Sequence, residues 1–200
     1  MEHYRQVIQV FTPNELAVFM QMLKSELDQL PRWNSASILN DAPINKAIRD
    51  TDSKVLKEDF LSYQVLHAKI NQAAERYGQM LQEVYKEAAL TGPTMCAPGT
   101  KSWHQSFEIL RYKPGQHYTW HVDQSLNDEI SAIGHHRTVS VVLYLTDDFE
   151  GGGTEFPDRV FKPKAGEALF FPSSWCYPHR GQQVTQGEKI ACVTWYEVYD

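Results

Sequence analysis

His121 and Asp123 form the one His-x-Asp pair in the 200-residue chain. Residues two apart on a strand face the same way, so an imidazole nitrogen and a carboxylate oxygen here could converge on one cation. Composition alone can supply such a pair, and a polar pair on an edge strand is the plain alternative. The context comes from GEALFFPSSWCYPHRGQQVTQGEKIACVTW, which sets His179 in a turn-rich stretch between two apolar segments, where it suits a third ligand.

Two imidazoles and one carboxylate on one side of an ion leave its other positions open. Non-haem Fe(II) oxygenases use this facial set, whose open positions admit a bidentate co-substrate and dioxygen. Lys189 follows His179 by ten residues and leads the apolar run IACVTWYEV. A lysine there usually marks a solvated strand end. Near a metal it could instead hold the far carboxylate of a dicarboxylate ligand through charge-assisted hydrogen bonds.

These residues need strands to carry them. After Gly99 the chain breaks into short runs rich in Val, Ile, Phe, Tyr, Trp and Thr, bounded by Gly, Pro and Asp. SFEILRY, HYTWHVD, TVSVVLYLT, GTEF, RVFKP, ALFFP and KIACVTWYEV read as strands. Ahead of them, Thr12 to Glu15 (TPNE) combine an N-cap hydroxyl, a helix-opening proline and a capping-box glutamate. Leu16, Phe19, Leu23, Leu27 and Leu30 then form one helical stripe that stops at Pro31. Leu66, Ile70, Ala73, Tyr77, Leu81, Val84 and Ala88 predict a second helix over 63–90, closed by Gly92-Pro93. Residues 32–60 read as loop with at most a short helix, bordering a substrate site. The expected architecture is one mainly β (α+β) domain, with residues 1–98 a helical support region and 99–200 an all-β sandwich, barrel or jelly roll.

Composition narrows the partners. Lys plus Arg number 19 against 25 Asp plus Glu, a net charge of −6 that supplies no field for polyanions and disfavours nucleic acid. No apolar run reaches a membrane span, and MEHYRQVIQVF lacks a signal-peptide layout, so a cytoplasmic protein is expected. Cys96, Cys176 and Cys192 are an odd set without a C-x-x-C pair, which points to reduced thiols.

Taken in order, RYKPGQHYTWHVD, GGGTEF, GEALFFP and PHRGQQVTQGEKIACVTW resemble the prolyl 4-hydroxylase-like 2-oxoglutarate- and Fe(II)-dependent dioxygenases, over about Phe107 to Glu197. The resemblance implies a double-stranded β-helix (jelly roll) core with supporting helices. It implies Fe(II) ligation by His121, Asp123 and His179, with 2-oxoglutarate and dioxygen as co-substrates and Lys189 on the distal carboxylate. It further implies co-substrate contacts from Tyr112 and Tyr144, with Trp195 as a pocket wall; the plain reading of each ring is core packing. The implied reaction hydroxylates a C–H bond, of a prolyl residue in a peptide or protein first of all, releasing succinate and CO₂. Asp123 favours hydroxylation, because related halogenases lack that carboxylate. Residues 124–136 and 32–60 are the expected lid and substrate loops. His135, His136, His104 and His117 are given no metal role, the adjacent pair being read as loop, and Gly151–Gly153 is read as a turn before Thr154. Rival readings are an oxygenase of free amino acids or other small molecules, a cupin-like metal-binding protein without catalysis, and a nucleic-acid demethylase.

Overall fold

Apolar alternation in the C-terminal half produces two antiparallel sheets packed face to face. The structure, a computed structural model, describes residues 2–36, 45–85, 102–104, 106–124 and 135–199. In the larger sheet the order is β1 (Gln6–Gln9), β12 (Glu167–Pro172), β8 (His135–Tyr144), β15 (Lys189–Tyr199), β6 (Glu108–Tyr112), β4 (Asp52–Val55) and β2 (Asn34–Ser35), with β5 (Ser102–His104) also on β15. The smaller sheet runs β11 (Arg159–Phe161), β10 (Thr154–Phe156), β13 (His179–Gly181), β7 (His117–His121) and β3 (Arg49–Asp50). A short ladder joins β9 (Glu150–Gly151) to β14 (Val184–Gln186).

Strand periodicity sorts the larger sheet into two faces. Val139, Val141 and Leu143 of β8, Ala168 and Phe170 of β12, and Cys192 and Tyr196 of β15 enter one apolar cluster with the helices. Their neighbours point between the sheets: Val142, Tyr144, Val193 and Trp195 in one cluster, Leu169 and Phe171 with Phe156 of β10 in another. The helices therefore cover the outer face, leaving the inner face for a site.

The helix α1 (Pro13–Leu27) starts as its sequence dictates. Thr12 N donates to Glu15 Oε2 at 2.8 Å and Glu15 N donates to Thr12 Oγ1 at 3.4 Å. Its buried Leu16, Phe19, Leu23 and Leu27 pack toward α2 (Leu61–Tyr85) and the sheet. Glu26 of α1 accepts the first free N–H groups of α2, Leu61 at 2.8 Å and Ser62 at 3.0 Å, so one helix caps the other.

The expected fold class holds: mainly β, with two helices and facing antiparallel sheets consistent with a jelly roll. Three details differ from the sequence reading, the first being that His179–Gly181 and Val184–Gln186 form short strands within the stretch expected as turn-rich. The first half contributes strands as well as helices, with Gln6–Gln9 on the sheet edge and β2, β3 and β4 within the stretch expected as loop. Strands of two to four residues are too short to display alternation, and their partners lie far along the chain. His135 and His136 open β8 instead of lying in a loop, because β15 runs on to pair Val198 with His136 and Tyr199 with His135. The predicted end of the second helix at Gly92-Pro93, Cys96, and the 125–134 part of the expected lid lie outside the described residues.

Leu66 on α2 is fully buried, whereas Val18 on α1 is 69% exposed. Denaturant unfolding should show Leu66→Ala losing about 2–5 kcal/mol of stability, with Val18→Ala within about 0.5 kcal/mol of the parent.

Candidate metal centre

Strand β7 ends on His121, and β13 begins on His179 directly across the ladder. Asp123 lies two residues past His121, just beyond the strand, and turns back toward both imidazoles. Ligand atoms of the three residues all fall within 4.8 Å of one another. His121 Nε2 is 3.5 Å from Asp123 Oδ1, and His179 Nε2 is 3.6 Å from Asp123 Oδ2. Each Nδ1 faces a backbone carbonyl, Thr119 O at 2.8 Å and Tyr177 O at 3.1 Å. A carbonyl only accepts, so Nδ1 carries the hydrogen and each Nε2 lone pair is free for a cation.

Ser140 on β8 donates to Asp123 Oδ2 at 2.6 Å and shares a 2.8 Å hydrogen bond with Ser173. The larger sheet thus orients the carboxylate while the smaller one supplies both imidazoles. Burial pushes the Asp123 pKa up, but the imidazoles of His179 and His121 and the Ser140 hydroxyl hold it well below the usual carboxylate range. Burial lowers His179 to about 4, against the pull of Asp123. A carboxylate and a neutral imidazole are the forms that ligate a divalent metal, so this donor set fits Fe(II).

The second half of the site lies further along β8. Lys189 is 4% exposed and crosses the ladder opposite Tyr112. Its ammonium donates to Gly152 O at 2.7 Å and the Tyr144 hydroxyl at 3.4 Å, above the rings of Tyr144 (4.4 Å) and Tyr112 (5.2 Å). Tyr144 in turn shares a 2.9 Å hydrogen bond with Thr154. Among the described residues no carboxylate pairs with Lys189, and burial, helped by nearby Lys162, pushes its pKa down to about 7. Burial also raises the pKa values of Tyr112 and Tyr144, which stay neutral hydroxyls. Ser140 and Tyr144 are four residues apart on one face of β8, so the carboxylate anchor and the lysine anchor are separated by about 13 Å of strand.

All seven residues singled out in the sequence line the inner side of the barrel or its edge. Trp195 crosses the ladder opposite Ser140, with the Arg137 guanidinium 4.0 Å above its ring. Several contributors escaped sequence reasoning. Arg137 Nη1 donates to Asp123 O at 3.3 Å. Tyr118 stacks on His121 at 3.6 Å and 13°, under Arg49 at 5.1 Å. Ser140 had a weak signal, a small hydroxyl set within the apolar run from Val139 to Leu143; Arg49 and Thr154 had none. Gly151 and Gly152 do form a turn ahead of β10, with φ of 70° and 63°, but the Gly152 carbonyl also holds Lys189. His117 lies on β7 with Nε2 3.4 Å from Ala47 O, away from the metal ligands' set.

The segment that carries this arrangement is similar to known proteins. Residues 107–197 match the model of the 2OG-Fe(II) oxygenase superfamily. The superfamily segment contains the triad, Lys189, both tyrosines, Thr154 and Arg137. Among curated relatives, prolyl 4-hydroxylase 2 of Arabidopsis thaliana is 31% identical over 126 residues, 47% of this chain and 42% of that protein. A PKHD-type hydroxylase of Psychrobacter is 36% identical over 93 residues, 43% of this chain and 35% of that protein. The chain spans less than half the length of the curated relatives it matches. A likeness of fold extends over nearly all of it: a viral collagen prolyl hydroxylase from Paramecium bursaria Chlorella virus-1, solved with 2OG, aligns at a TM-score of 0.66 with 22% identity, covering 98% of this chain and 96% of that one. A Trichoplax adhaerens prolyl hydroxylase solved with a hypoxia-inducible-factor peptide aligns at 0.64 with 17% identity, covering 97% and 83%.

Removing the Ser140 hydroxyl leaves the three ligands in place but frees the carboxylate. Ser140→Ala should weaken Mn(II) or Fe(II) binding by about 10–100-fold, and His121→Ala or His179→Ala should abolish it. Metal titration by calorimetry reads both effects, and equal affinity in all variants would remove the triad from the metal site.

Proposed function

We propose that the 200 residues act as one 2-oxoglutarate- and Fe(II)-dependent dioxygenase domain that hydroxylates a prolyl residue of a peptide or protein. The observation that carries this reading is that one face of β8 anchors, through Ser140, a facial metal triad and, through Tyr144, a buried lysine lacking a carboxylate partner among the described residues. A cupin-like binding protein requires the first feature and has no use for the second. His121, Asp123 and His179 would hold the metal, and Lys189 with the Tyr144 and Thr154 hydroxyls would receive the distal carboxylate.

When bound, iron with 2-oxoglutarate and dioxygen supplies the oxidising power to place one oxygen atom in a C–H bond, with succinate and CO₂ as co-products. The chain's residues supply geometry. Ser140 and the two backbone carbonyls fix the ligand orientations. Leu110, Val142 and Val193 line the interior with apolar surface and exclude water from the co-substrate. Tyr118, stacked on His121, and Trp195, opposite Ser140, place aromatic rings beside the triad. The peptide reading draws on the relatives, which are named prolyl 4-hydroxylases. Among the described residues no helix is long and apolar enough to cross a membrane. The free thiols of Cys176 and Cys192 suit a reducing compartment, and we propose the cytoplasm.

Incubation with Fe(II), 2-oxoglutarate and dioxygen should yield succinate coupled to a gain of one oxygen, about 16 mass units, on proline-containing peptides. Free amino acids and single-stranded DNA serve as parallel substrates, and oxidation confined to either would overturn the peptide assignment. Lys189→Met should lower 2-oxoglutarate affinity at least about 100-fold, the scale of losing a buried charge pair, while leaving metal binding unchanged.

A further inference from the structure

Lys189 owes its position to a neighbour the reaction itself never touches. Its closest acceptor is the Gly152 carbonyl, in a turn with left-handed backbone. This turn rests on Phe149: a Cβ at position 152 would lie 2.8 Å from the Phe149 ring and 3.0 Å from Val184. Phe149 is buried, and its ring lies 6.3 Å from that of Tyr144, the other acceptor of Lys189. What fixes Phe149 from outside is Lys162, the residue after β11. Its ammonium donates to Phe149 O at 2.6 Å and lies 4.7 Å from the ring centroid of the same residue. One exposed side chain thus holds both the backbone and the ring of the residue on which the Gly152 turn packs.

We propose that Lys162 is a positioning residue of the co-substrate subsite, acting through Phe149 and Gly152 to set where Lys189 presents its ammonium. The inference rests on the 2-oxoglutarate reading above. Without Lys162 the 148–153 strap loses a charge-assisted hydrogen bond, and the Gly152 carbonyl is free to tilt away from Lys189. The ammonium then keeps only the longer contact to Tyr144. An ordinary surface lysine would leave the subsite unaffected on removal, since nothing about exposure alone links it to Lys189.

The test compares wild type, Lys162→Met and Lys162→Arg, each loaded with Mn(II), by calorimetric titration with 2-oxoglutarate, and follows amide exchange of residues 147–153 without co-substrate. At pH 6, where Lys189 is charged with or without Lys162, Lys162→Met should weaken 2-oxoglutarate binding on the order of tenfold, the equivalent of one charge-assisted hydrogen bond, and speed exchange across the strap. Lys162→Arg should restore both, and Mn(II) affinity should be the same in all three. Wild-type affinity for 2-oxoglutarate in Lys162→Met would overturn the positioning role while leaving the oxygenase reading intact. Failure of the wild type itself to bind 2-oxoglutarate would overturn that reading and this role together.

Discussion

A buried ammonium with no carboxylate beside it among the described residues is the constraint around which the inner face of this barrel is organised. Desolvating such a charge costs several kcal/mol. The fold offsets only part of that cost with one carbonyl, one hydroxyl and two aromatic ring faces. The remainder persists until an anion enters. In the function proposed above, Lys189 contributes affinity for a carboxylate at the expense of stability, a trade expected at a binding site and without purpose in a core.

The metal end obeys the complementary rule. A carboxylate buried beside two imidazoles is stable as an ion because both sheets contribute partners, His121 and His179 from the smaller and Ser140 from the larger. The packing of one sheet on the other is what closes the triad, so the apolar contacts of Phe156 with Leu169 and Phe171 serve the site as well as the fold. The helices stabilise the opposite face of the larger sheet. They keep β8 and β15 fixed while contributing nothing to the chemistry.

Long patterned segments were legible in the sequence. The capping box at Thr12, the stripe from Leu16 to Leu27 and the longer strands Glu108–Tyr112, His117–His121, His135–Tyr144, Glu167–Pro172 and Lys189–Tyr199 rest on local chemistry that periodicity reveals. The strands Asn34–Ser35, Arg49–Asp50 and Asp52–Val55 were not, because pairing with β4, β6 and β7 creates them and their own residues carry no repeat. At the site, spacing brought out the residues whose types announce a role: two histidines, an aspartate and a lysine. Ser140, Thr154, Arg137 and the Gly152 carbonyl act through position alone. A serine within a run of valines is a weak signal, and a backbone carbonyl gives none.

In the proposed function a dicarboxylate supplies the counter-ion that Lys189 lacks among the described residues. With burial holding its pKa down to about 7, Lys189 is largely neutral at pH 8 and must take up a proton when the anion arrives. Below about pH 6 it is already charged, so binding there requires no uptake and affinity is at its highest; above pH 7 affinity falls as protonation becomes part of binding. Calorimetric titration of the Mn(II)-loaded protein with 2-oxoglutarate at pH 8, in buffers of different ionisation enthalpy, measures that proton directly. The account predicts uptake approaching about one proton at pH 8 and near zero at pH 6, with the pH 8 uptake lost in Lys189→Met. Binding with no proton uptake at pH 8, or with the same uptake after Lys189 is replaced, would contradict it.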